Sequence, residues 1–192
     1  MHLQRHRGAY VVEFALVIPL FLFFTYGVLE LTRAMYLFNT LEDVTRHVAD
    51  QAAYTDFTNE SAKNTIRQTA LFRTSPGTLM LGAPITDAHI RIDYLAAVRG
   101  GGNSVTLTEI PAATLPACPA TNRIICMNNP NDPGCIRFVR IRICDPSDAS
   151  ACKGVPYKMI VPLVDLGLTM PAMTKITPAE TLGFTPGMAS CP

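Results

Sequence analysis

The chain has 192 residues, 48% of them hydrophobic and 16% charged, with a formal net charge of +1. That length holds one modest core beside a membrane segment and leaves no room for a second, enzymatic domain. A charge so near zero carries no electrostatic footprint for nucleic acid or a polyanionic substrate, so recognition has to reside in local features.

Residues 1–8 are basic, with Arg5, Arg7 and two histidines and no acid. Residues 9–29 follow, 21 positions in which Glu13 is the only charge. At about 1.5 Å per residue a helix of that length spans about 30 Å, the thickness of a hydrocarbon core. Pro19 does not argue against a span, because neighbours in a membrane can satisfy the freed carbonyl. The residues just beyond mix Glu30, Arg33, Glu42, Asp43 and Arg46. The positive-inside rule then predicts an inner-membrane, single-pass chain with a cytoplasmic N-terminus and an exported remainder. A cleaved secretory signal would need an Ala-x-Ala-like site after Leu29, and the run Glu30-Leu-Thr-Arg-Ala-Met-Tyr-Leu-Phe has none. An uncleaved signal anchor is the other reading of this segment.

A carboxylate inside hydrocarbon costs about 2.5 kcal/mol or more, and such residues mark a function and a partner. A cut between Gly8 and Ala9 would create an α-amine at the first mature position and leave Glu13 at the fifth. The segment Arg7-Gly-Ala-Tyr-Val-Val-Glu-Phe-Ala-Leu-Val-Ile-Pro19, with Gly27 and Glu30 beyond it, closely resembles the TadE-like pseudopilins, type IV pilin-like proteins of tight-adherence (Tad/Flp) pilus systems. The resemblance covers about the first fifty residues. It implies a structural pilus subunit rather than an enzyme, with processing at Gly8–Ala9 by a prepilin peptidase. It also implies association with other pilins and Tad inner-membrane assembly proteins, membrane lipid around the span, a place in the inner membrane or the extracellular pilus, and a role in adhesion. In a packed bundle the Glu13 carboxylate can pair with the Ala9 amine of a neighbour, which offsets part of the cost of burying either charge.

Past the span, Ala34, Phe38, Leu41, Val44, Val48 and Ala52 recur three or four positions apart. The spacing predicts one helix from about residue 9 to about residue 54, roughly 69 Å long, whose half over 30–54 is an amphipathic continuation of the span. Glu30 with Arg33 and Glu42 with Arg46 would add a few tenths of a kcal/mol each on its polar face. Residues 55–192 then form an exported α+β domain. A second helix is predicted over 61–73, with Asn59 or Ser61 as N-cap and Ser75-Pro76-Gly77 as its stop. Strands are predicted over 89–97, 104–109, 136–144 and 158–164, the last an edge because Pro162 interrupts it. The glycine run at 99–103 is a hairpin loop, since it lacks the spacing and the strand-to-helix setting of a phosphate cradle. Arg137, Arg140 and Arg142 are ordinary solvated positions, and 111–134 is a long irregular insertion.

Six cysteines, Cys118, Cys126, Cys135, Cys144, Cys152 and Cys191, lie in the C-terminal half. None has Cys-x-x-Cys spacing and the four histidines are scattered, which favours disulfides over a zinc or redox site and an oxidising compartment, the periplasm. Cys118, Cys126 and Cys135 could staple the insertion, and Cys144 with Cys152 brackets a loop of nine residues, the best single pairing. Fifteen connectivities are possible for six cysteines, so the others stay open. No nucleophile elbow, no histidine beside a nucleophile, no metal-ligand pair and no cofactor motif occurs. The expected fold is α+β, a long N-terminal helix followed by a small disulfide-bearing antiparallel β domain. The rival to a pilus subunit is a bitopic envelope protein that binds a partner through its exported disulfide-rich domain.

Overall fold

The computed structural model describes residues 9–147, 151–160, 167–188 and 191. Helix α1 runs over Ala9–Tyr54, 46 residues, with Pro19 inside it. Its second half turns Leu37, Leu41, Val44, Val48, Ala49 and Ala52 into the core. Phe38, expected on this stripe, is 39% exposed and Leu37 takes its place. Successive helical positions stand about 100° apart, and Leu37 rather than Phe38 lies directly above Leu41, Val44 and Val48.

Helix α2, Glu60–Ala70, starts on Asn59, whose side-chain oxygen accepts from the Ala62 amide at 3.0 Å. Asn59→Ala should therefore cost the exported domain about 1 kcal/mol, read as a lower urea midpoint at unchanged slope. The helix stops three positions short of the predicted 73. Leu71 is drawn into the core and Phe72 takes a left-handed φ of 58°. The Phe72 amide then donates to Thr69 and the Arg73 amide to Gln68, at 2.9 and 3.0 Å. This is the Schellman pattern, with a phenylalanine where glycine is usual.

Four strands, β1 (Ile90–Arg99), β2 (Val105–Glu109), β3 (Phe138–Ile143) and β4 (Thr174–Pro178), form one antiparallel sheet in the order β2-β1-β3-β4. β3 alternates as its sequence predicts, with Val139, Ile141 and Ile143 inward against α1. The glycine run joins β1 to β2 as a hairpin loop, and Gly102 takes a φ of 75° there. Of the strand expected over 158–164, residues 158–160 are not strand, and 161–164 lie outside the described residues. β4 occupies the edge instead. It pairs through its backbone with β3 while its own side chains stay largely exposed, so no alternation marks it in the sequence. The insertion at 111–134 is likewise not wholly irregular, because it holds helix α3, Pro119–Asn128, with proline at its first turn.

Residues 180–182 return to α1. The amides of Glu180 and Leu182 both donate to the Ala53 carbonyl at 3.1 Å. The chain then turns at Gly183 with a φ of +83°, where an added Cβ would lie 2.8 Å from the Asp56 nitrogen. Only glycine fits there. The core is thus shared between the second half of α1, α2 and one face of the sheet, and Phe57 meets Tyr94 edge to face at 5.7 Å.

Candidate assembly site on the N-terminal helix

The most apolar 18-residue stretch of α1 is unburied among the described residues. Tyr10, Phe14, Leu16, Leu20, Phe21, Phe23 and Phe24 all stand exposed. Such a surface is stable only in lipid or against other helices. Glu13 projects from it between Tyr10, Val11, Phe14 and Val17. Among the described residues no hydrogen bond or ion pair reaches its carboxylate. Ala9 opens the helix four positions, about one turn, before Glu13. Gly8 and the rest of the basic leader lie outside the described residues.

Where α1 leaves the span, Glu30 and Arg33 form a buried clamp, each side chain 9% exposed. The pair is not the solvated i,i+3 contact expected from spacing alone. Glu30 accepts from the Tyr157 hydroxyl at 2.5 Å, from the Ile160 amide at 3.4 Å and from Arg33 at 3.2 Å. Arg33 in turn donates to the carbonyls of Leu81, Ala83 and Lys158 at 2.9, 3.1 and 2.7 Å, and its guanidinium lies 5.3 Å from the centre of the Tyr157 ring. Burial, then the bond to Glu30, pushes the Tyr157 phenol up to about 12, so it stays a donor across the physiological range. Two loops far apart in sequence are thereby held against one turn of the helix. Only the Glu30–Arg33 spacing was visible beforehand, since the loop partners are backbone carbonyls that carry no sequence signal.

The six cysteines fall into three pairs, Cys118–Cys191, Cys126–Cys135 and Cys144–Cys152, with Cα separations of 5.9, 5.0 and 4.9 Å, within the range for disulfides. Thiol titration of the denatured, unreduced chain is expected to find essentially no reactive thiol, against six after reduction. Most of the six reacting at once would overturn the framework. Arg140 and Arg142 are not simply solvated either. Together with Arg91 they surround Asp93, whose side chain is 5% exposed, and both also reach Glu109. No group of three or more His, Cys, Asp or Glu able to hold a metal occurs among the described residues.

An unburied apolar helix long enough to cross a bilayer, continuous with a small disulfide-bearing α+β domain, fits a single-pass membrane protein. The family comparison narrows that class. Residues 8–50 match the family described as TadE-like protein, and this segment, the span together with most of the projecting helix, is TadE-like. The match supports a structural, Tad-pilus-associated protein. No curated protein and no solved structure matches the chain.

Proposed function

We propose that the protein is a pseudopilin or minor pilin, a structural subunit for assembly of a Tad pilus. It sits in the inner membrane as a single span with its N-terminus in the cytoplasm and residues 55–192 as a periplasmic domain. A prepilin peptidase trims it between Gly8 and Ala9, and it then packs with other pilins along α1. One observation carries this reading: Glu13 is a lone carboxylate on an otherwise apolar, uncovered helix face, one turn from Ala9. A group so costly in hydrocarbon calls for a partner, and the amine that cleavage would create on a neighbouring subunit has the right charge. The disulfides suit an oxidising periplasm and the basic leader suits a cytoplasmic N-terminus.

The test is the intact mass of the protein purified from membranes of a host that carries the peptidase. A chain beginning at Ala9 is expected. A chain that keeps residues 1–8 would favour the bitopic binding protein, in which the same helix is only an anchor.

A further inference from the structure

The Glu30–Arg33 clamp sets two loops, 79–84 and 157–160, at one height along α1. The carbonyls of Leu81, Ala83 and Lys158 are all bonded to Arg33, the Ile160 amide is bonded to Glu30, and the Tyr36 hydroxyl reaches the Met80 carbonyl at 3.5 Å. These helix positions lie one to seven residues past Leu29, within about 10 Å of the hydrocarbon edge at 1.5 Å per residue. That is the depth of the headgroup layer.

The side chains carried there are apolar and uncovered: Met80 is 77% exposed, Leu81 67% and Ile160 58%. Leu81 also holds a left-handed φ of 55°, a conformation in which glycine or asparagine would be unstrained. The sequence thus keeps a leucine in a strained position where nothing among the described residues buries it. Neither loop contains an acidic residue, and the one charge, on Lys158, is exposed. Apolar side chains beside a lysine are the chemistry of a surface that sits in a lipid interface, with stems in the acyl boundary and the ammonium among phosphates.

We infer that loops 79–84 and 157–160 form an apron that docks the globular domain on the bilayer α1 crosses, with Met80, Leu81 and Ile160 inserted among the lipid headgroups. The occupant is lipid because the patch is continuous with the span and lies at its exit. The apron fixes the angle between domain and membrane, so the projecting half of α1 leaves the bilayer in one orientation. This inference rests on the single-span reading and goes beyond it.

The chain contains no tryptophan, so single substitutions report on their own surroundings. The full chain is reconstituted in phosphatidylcholine vesicles with or without lipids brominated near the carbonyl end of the acyl chains. Met80→Trp and Ile160→Trp probe the apron, Phe21→Trp the span, and Phe72→Trp the domain surface beside α1 residues 43–50, about 20 Å further along the helix. The apron tryptophans are expected to emit to the blue of Phe72→Trp and to lose at least about half their intensity to the shallow bromines, as insertion by about 5–10 Å requires. Phe72→Trp should be unaffected. Apron tryptophans that emit like Phe72→Trp while Phe21→Trp is protected overturn the apron and leave the span standing. Blue emission without quenching overturns it as well, since protein rather than lipid would then cover the patch. An unprotected Phe21→Trp removes the span, and the apron with it.

Discussion

Glu13→Ala is expected to leave the chain in the membrane fraction and to abolish its incorporation into pili or its association with other pilins. Insertion becomes easier, because a carboxylate in a span is penalised, by about 2.5–3.5 kcal/mol at its centre and by less toward its ends, and the substitution removes that penalty. Assembly becomes harder. A neighbour's amine buried without its counter-charge costs about 3–5 kcal/mol, which corresponds to a loss of association of roughly 10²–10⁴-fold. The two effects have opposite signs, so a general folding defect cannot imitate them. Membrane fractionation beside pilus shearing or crosslinking reads both, and a Glu13→Ala protein that assembles normally would remove the functional reading of this residue.

Arg33→Ala should cost the domain about 3–5 kcal/mol, because it leaves the Glu30 carboxylate buried without its cation and strips a donor from three carbonyls at once. Lysine should not restore it. The three carbonyls approach the guanidinium from different sides, and a single ammonium on a flexible stem cannot reproduce that planar fork. Urea unfolding in detergent micelles measures the loss, and hydrogen exchange locates it. Amides in 79–84 and 157–160 should exchange faster while those in β1 and β3 keep their protection. Unchanged stability in Arg33→Ala would mean that the clamp does not hold the loops.

The length of α1 was legible in the sequence because both of its halves carry a periodic apolar signal, and nothing between Val28 and Tyr54 breaks it. The central strands were legible for the same reason: Val139, Ile141 and Ile143 alternate with arginines on a half-buried surface. β4 was not, because an edge strand with exposed side chains is defined by the amides of its neighbour rather than by its own pattern. α3 was hidden by prolines on every side, although Pro119 at a first helical position was a usable start signal. In the candidate site, Glu13 announced itself as a charge out of place. The clamp did not, since Arg33 and Glu30 find their partners through the tertiary fold, 48 to 130 positions away. The acidic partners of Arg140 and Arg142 were missed in the same way: Asp93 lies across the strand pair and is invisible to any local spacing.

The return of residues 180–182 to Ala53 has a kinetic meaning. Synthesis delivers the apolar stripe of α1 early and its cover late: Val48 precedes Val139 by 91 positions, and Ala53 precedes Leu182 by 129. Contacts so distant in sequence make folding slow, because the entropy of closing the chain is spent before any of them forms. Until β3 and β4 arrive, the stripe of Leu41, Val44 and Val48 has only α2 and the segments near it for cover. The nascent chain therefore passes through a long interval as a sticky rod, a target for chaperones or for premature pairing with a sister helix. On the proposed reading as a pilus subunit, completion of the domain rather than insertion of the span would set when the chain becomes fit to assemble.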